Sequence, residues 1–235
     1  MPAGELDPDD LDGLIRRVDP DRWLASRFIT DPAARADVIA LYAYDHELTR
    51  ALKAASNSLL AEIRLTWWRE ALDEIFAQGP VRRHPAAQAL GEAVRRHALP
   101  RAPLEAMIDG RIAVLDLALL DADEAVRWAD ATQGSAARLA AAILDPAAPA
   151  EATAPAGRAW GLTLLRRGGR VAAADVDAPL RQALAEARAG ARRLGVAAFP
   201  AVLATRLARY DLAGRMPGPL RRQLSLVVAS ATGRI

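Results

Sequence analysis

The chain has 235 residues, 31 Lys and Arg against 29 Asp and Glu, and a hydrophobic share of 52% in which aromatics supply only 5%. A core of this make-up is built from Ala, Leu and Val, which favours closely packed helices and leaves few residues for strands; the net charge of +2 is too balanced for a dedicated nucleic-acid binder. Cysteine is absent, so disulfides and cysteine metal centres are excluded, which fits a reducing compartment.

The opening MPAGELDPDDLDG is acidic and lacks the basic start and apolar run of a secretory signal, so export by that route is not expected. Within this acidic segment, residues 1–19, Asp7-Pro8 and Asp19-Pro20 are helix starts, each an oxygen-bearing cap before a proline at the first helical position. A short helix is predicted from Asp9 to Val18 and a second around Trp23, Leu24 and Phe28. Asp31-Pro32 then opens a long helix to Lys53 with Val38, Leu41, Tyr42, Leu48 and Leu52 inward.

After a break at Ser56-Asn57-Ser58 comes LLAEIRLTWWREALDEIF, in which Leu60, Ile63, Trp67, Trp68, Ala71, Leu72, Ile75 and Phe76 share one helical face. That face is expected in the core, anchored by the two tryptophans. The other face carries Glu62, Arg69, Glu70, Asp73 and Glu74, with Arg69 one turn from Asp73 and placed to pair with it.

Gly79-Pro80 breaks the chain; Pro85 opens a helix to Ala98, Pro103 another to Leu119, and a further one runs from Asp123 to Leu144. Residues 145–156, DPAAPAEATAPA, hold three prolines and read as a mobile loop. A helix from Gly157 to Arg167 ends at Gly168-Gly169, Asp177-Ala-Pro179 starts one to Leu194, Pro200 one to Leu212, and Leu220 to Ser230 forms the last. The expectation is therefore a single-domain, all-α helical bundle over residues 1–235, with nine or ten helices and no sheet.

The longest uncharged stretches, Leu194 to Thr205 with 12 residues and Gln223 to Gly233 with 11, are short of the roughly 20 a membrane span requires. Residues 158–235 hold 14 Arg against Asp175, Asp177, Glu186 and Asp211, a balance of +10, so residues 1–157 sum to −8. With the apolar segment Leu220 to Ser230, this basic region suits attachment to an anionic membrane surface or to an acidic partner docked there; dispersed local ion pairs would explain the arginines equally.

Ordinary catalytic patterns are missing. His46, His84 and His97 lack metal-ligand spacing, Ser135 in QGSAA lacks the flanks of a nucleophile elbow, and Gly168-Gly169 ends a helix, so it is no phosphate loop.

LYAYDHELTRALK, IRLTWWREALDEI and RRHPAAQAL, followed by LEAMIDGRIAVLDL, RAWGLTLLRR and AFPAVLATRLARY, resemble the squalene/phytoene synthase family in the family's own order, over most of residues 20 to 212. The resemblance implies the isoprenoid-synthase fold. In catalytic members two aspartate-rich motifs hold magnesium, which binds a prenyl diphosphate and helps it leave. Here the first motif's aspartate positions fall on Thr49, Arg50 and Lys53, and the second motif's on residues near Leu164 and Gly168, with no acid between Arg158 and Arg170. Asp45 and Glu47 remain nearby but lie roughly 160° apart on a helix, so they cannot chelate one ion and read as surface or inter-helix pairing groups. Asp109 and Asp116 share a face and are expected to be solvated or paired with Arg111 and Arg127. No residue is assigned a catalytic or metal-binding role, and no magnesium cofactor is expected.

Two functions follow. The first is a non-catalytic member kept for binding; the resemblance of IRLTWWREALDEI to the branch that assists respiratory complex I implies a membrane-bound respiratory-complex subunit as partner. It would be cytoplasmic, peripheral on the inner face of the membrane. The second is an isoprenoid-chain transferase or prenyl-diphosphate binder in which Arg50, Lys53, Arg166 and Arg167, with Thr49 and Asp45 beside them, face one cavity and replace magnesium. In either case an isoprenoid lipid is a candidate ligand and nucleic acid is not.

Overall fold

The structure is a computed structural model and describes residues 10–55 and 57–235, so the helix start expected at Asp7-Pro8 lies outside the described residues. The elements are α1 (Leu11–Val18), α2 (Pro20–Ser26), α3 (Pro32–Lys53), α4 (Ser58–Phe76), α5 (Pro85–His97), α6 (Arg101–Ile112), α7 (Ala122–Ala129), α8 (Ser135–Leu144), α9 (Ala150–Arg167), α10 (Ala173–Ala191), α11 (Pro200–Leu203), α12 (Ala208–Leu212) and α13 (Pro219–Thr232). A π-helical turn, Asp130–Gly134, joins α7 to α8, and a 3₁₀ turn, Ala204–Leu207, joins α11 to α12. That makes eleven continuous helical runs, slightly more than expected, and no strand among the described residues.

The helix starts follow the capping rules. Asp10, Asp19 and Asp31 accept hydrogen bonds from the backbone N–H of Gly13, Arg22 and Ala33, at 2.8, 3.1 and 2.9 Å, and Asn57 accepts from Leu60 at 2.9 Å. Each side chain satisfies a donor that the first helical turn leaves free.

From Asp37 to Asp45 every residue of α3 is buried, so this helix runs through the middle of the bundle with α1, α4, α5, α6 and α8 around it. Beside it α9 forms a second axis, held between α10, α7, α8 and the π turn. The contact with α10 is backbone to backbone: a Cβ added to Gly190 would lie 2.1 Å from the Ala152 carbonyl oxygen. Only glycine permits that approach.

Several boundaries and faces differ from those the sequence suggests. Residues 145–156 are not a loop throughout; α9 begins at Ala150 and runs through Pro155. An interior proline removes a hydrogen bond and disfavours a helix by about 3 kcal/mol, but here Ala152, Thr153 and Ala156 are buried and the packing prevails. For the same reason Pro179 lies inside α10, which starts at Ala173. The helix at Pro103 ends at Ile112, not Leu119, because Arg170 ties the following turn down by donating to the Leu117 carbonyl at 2.7 Å while accepting from Leu120 N–H at 2.9 Å.

On α4 the buried stripe is Ala61, Leu65, Trp68, Ala71, Leu72 and Ile75, while Ile63 is 56% exposed and Leu60, Trp67 and Phe76 are half-buried. The core face is rotated from the expected one, and Trp67 lies at its edge, against the core on one side and with Arg82 4.5 Å from its ring centre on the other. Arg69 bridges to Asp109 and Arg101 to Asp73, tying α4 to α6 in place of the Arg69–Asp73 pair.

Candidate functional site

The interior contains a cluster of charge where helical proteins normally place only apolar side chains. At its centre is Asp45, halfway along α3 and 2% exposed. Arg22 reaches it from the first turn of α2, its Nη2 donating to Oδ2 at 2.6 Å. Arg111 reaches it from the last turn of α6, its Nη2 donating to Oδ1 at 2.6 Å. Gln133, carried by the π turn, donates from Nε2 to both carboxylate oxygens at 3.0 and 3.1 Å and accepts from Arg22 Nη1 at 2.9 Å. Four polar contacts therefore fall on the two oxygens of Asp45, close to a carboxylate's full acceptor capacity.

Further partners fix both guanidinium groups. Arg22 also donates to Asp19 and lies 4.5 Å above the Tyr42 ring, and Arg111 Nη1 donates to the Met107 carbonyl at 2.8 Å. Thr49, one turn beyond Asp45, accepts from Arg111 at 3.1 Å and donates to the Asp45 carbonyl at 3.0 Å. Burial alone would raise the Asp45 pKa, but Arg22 and Arg111 outweigh it and hold the carboxyl well below the usual range. Burial likewise pushes the Tyr42 phenol up to about 12. The cluster is ionised at neutral pH, with two cations around one anion, and Asp19 supplies the second.

Space around the cluster is small. Arg22, Tyr42, Gln133, Ala136, Trp160 and Thr205 border a cavity of about 20 Å³, enough for roughly one water. Nearby, Tyr44, Trp68, Trp67 and His84 stack edge to face with ring centres 5.0–5.5 Å apart, so the space behind Trp68 is occupied by rings.

A second cluster touches the other side of α2. Arg167 grips Asp211 through two hydrogen bonds of 2.6 and 2.7 Å and also reaches Asp21 at 3.1 Å, which Arg222 approaches at 3.0 Å. Consecutive residues of α2 thus serve the two clusters, Arg22 the first and Asp21 the second.

The residues singled out from sequence are divided by this geometry. Asp45 and Thr49 lie in the central cluster; Arg167 lies in the second. Arg50 folds back on Glu47 with bonds of 2.9 and 2.7 Å and is mostly exposed, Lys53 is exposed, and Arg166 pairs with Asp177 on α10. The proposed convergence of Arg50, Lys53, Arg166 and Arg167 on one cavity is not what the fold builds, because three of them are held by carboxylates in three separate places. Asp109 pairs with Arg69, not Arg111. Glu47 and Asp45 do point apart, but both are buried and neither is a surface group.

Arg22, Arg111 and Gln133 carry the site and were not legible as members of it. The faint signal is an arginine in the first turn of a helix directly after its capping aspartate, and another on the inward side of α6 among Leu104, Met107 and Ile108. Among the described residues no three carboxylates or histidines are gathered where they could share a cation.

Comparison with known proteins adds the following. The squalene/phytoene synthase family matches residues 15–175. The bovine protein "NADH dehydrogenase (ubiquinone) complex I, assembly factor 6" is 32% identical over 133 residues, which is 56% of this chain and 39% of that protein; the human protein of the same name is 31% identical over the same share. The chain thus matches well under half the length of these relatives. Among solved structures, a dehydrosqualene synthase in complex with ligand superposes over 94% of both chains with a TM-score of 0.78 at 14% identity, a likeness of fold.

Proposed function

The chain belongs to the squalene/phytoene synthase family, and from that premise we propose that it is a non-catalytic member whose helical body serves binding in the assembly of a membrane-bound respiratory complex. The observation that carries the reading is Asp45. Magnesium requires about six oxygen ligands in near-octahedral array. Asp45 spends its oxygens on Arg22, Arg111 and Gln133, and the neighbouring positions Thr49, Arg50 and Lys53 offer no second carboxylate. Two guanidinium groups stand where a dication would have to come, and like charge opposes it. The residues present do not fit the metal.

The partner class rests on the relatives named as complex I assembly factors. No helix among the described residues is long and apolar enough to cross a membrane, and the location we propose, cytoplasmic and peripheral on the inner face of the membrane, rests on the partner class alone. The alternative, a prenyl-diphosphate transferase or binder using arginines, has less behind it: Arg50, Arg166 and Arg167 already hold carboxylates.

Two measurements test the reading. Millimolar magnesium should move the melting temperature by less than about 1 °C, and no prenyl diphosphate should be turned over. Deleting the gene in its host should lower the amount of assembled NADH dehydrogenase in membranes. Magnesium-dependent product would overturn the non-catalytic reading, and undiminished NADH dehydrogenase would overturn the assembly role.

A further inference from the structure

The elbow between α12 and α13 combines an arginine-lined cleft with an exposed apolar helix face. Arg209, Tyr210, Arg215, Met216, Pro217 and Arg221 line a cleft of about 300 Å³. Next to it, α13 turns Leu220, Leu224, Val227 and Val228 to solvent, with exposures of 82, 63, 50 and 43%, and Met216 at 57% extends the row. Spacings of four, three and one put these residues on one face of α13. The opposite face, with Ser225, Leu226 and Ala229, is the one that packs on the protein.

The side-chain charge carried by residues 212–235 is of one sign. After Asp211 the sequence has no Asp or Glu up to residue 235, and Asp211 is held by Arg167. Arg209 donates to the hydroxyls of Tyr210 and Ser225 at 2.8 and 3.2 Å, and its buried Nε has no partner. Arg222 differs: it faces inward and is neutralised by Asp21. The cations available to a ligand are therefore Arg209, Arg215 and Arg221.

We propose that this elbow docks the protein on a bilayer containing anionic phospholipid, with a headgroup phosphate in the cleft of Arg209, Arg215 and Arg221 and the aliphatic face of α13 in the membrane interface. Guanidinium matches phosphate through paired N–H donors. A helix with one apolar face, cations at its flank and no acid is suited to lie in the interfacial plane. A protein partner would have to present an acidic patch of matching shape and fixed register, whereas a fluid anionic surface adapts to the cations it meets. The proposal rests on the peripheral-membrane part of the reading above and is independent of its non-catalytic part.

The test is co-sedimentation of the purified full chain with vesicles of phosphatidylcholine, alone or mixed with phosphatidylglycerol, at low and high salt. Wild type should pellet with the mixed vesicles at low salt and be released at high salt as charge is screened. Arg215→Gln/Arg221→Gln should weaken partitioning about thirtyfold, roughly fivefold for each cation removed. Leu224→Gln/Val227→Gln should weaken it at low salt, where wild type pellets. All four side chains are exposed, and circular dichroism checks that the variants fold. If wild type fails to pellet with mixed vesicles at low salt, or if either double variant pellets like wild type, the proposal is overturned. The first outcome would assign the surface to a protein partner and leave the assembly reading standing, since gene deletion tests that separately.

Discussion

Replacing Asp45 with Asn is the most informative single change, because it removes the only carboxylate paired with Arg111 among the described residues while keeping the size of the side chain. Arg22 retains Asp19, but the one carboxylate that Arg111 contacts is Asp45, and its own side chain is 1% exposed. Breaking a buried pair in this way destabilises a protein by about 3–5 kcal/mol, since a cation is left in a medium that solvates it poorly. Against a total stability of about 5–15 kcal/mol the loss is large, and for a chain of this size it corresponds to a fall of roughly 6–20 °C in melting temperature. Denaturant titration of Asp45→Asn gives the free energy directly. Asp45→Asn/Arg111→Met should recover part of the loss, because the stranded cation goes with its partner. The pH dependence has a definite sign. The folded carboxyl is depressed, so its contribution is fully present above the ordinary aspartate pKa of about 4 and fades as pH falls through the folded value. The wild type should lose stability on acidification in that window, and Asp45→Asn should lack this component. A loss below about 1 kcal/mol at neutral pH would mean that Arg111 is solvated from elsewhere, and the account of a closed, charge-compensated cluster would be wrong.

The two tryptophans should separate sharply: Trp68→Ala is expected to destabilise by about 3–5 kcal/mol as a buried ring, and Trp67→Ala by about 1–2 kcal/mol as a half-buried ring under Arg82. Denaturant titration of both checks this, and an equal or larger loss at Trp67 would return the core face to the one expected from periodicity. Gly190→Ala should cost about 1–3 kcal/mol, because its Cβ would strike the Ala152 carbonyl, backbone that cannot swing aside. A change under about 0.5 kcal/mol in thermal or denaturant unfolding would mean that α9 and α10 lie farther apart.

The helical rods were legible because their information is local. Asp19-Pro20 and Asp31-Pro32 are cap and first-turn signals within two residues, and the long α3 follows from them and from its apolar spacing. Pro155 and Pro179 misled because they are local signals too, overruled by contacts with neighbouring helices that no short window contains. The site was half legible. Thr49, Arg50 and Lys53 stood out only against the family motif, and that comparison drew attention to Asp45. Its partners could not be read: Arg22 is 23 residues away, Arg111 66 and Gln133 88, and nothing near an arginine in a chain rich in arginine tells a buried one from a solvated one. The π turn was equally invisible, since Asp-Ala-Thr-Gln-Gly reads as ordinary helix.

That turn fixes where Gln133 stands. A π turn holds more residues per revolution than an α-helix and amounts to one residue inserted into a continuous rod. Losing one residue between Asp130 and Gly134 would let α7 and α8 merge into a regular helix with the two flanks nearly in phase, because the wide turn already absorbs the extra residue. Within the shortened turn Gln133 would lose the position from which it reaches Asp45, and with it the close fit to the Gly157 backbone, where an added Cβ would be 2.2 Å from the Gln133 carbonyl oxygen. Substitutions around the cluster change its charge one group at a time; a single-codon deletion here would dismantle its geometry in one step, so this short segment should tolerate changes of residue far better than changes of length.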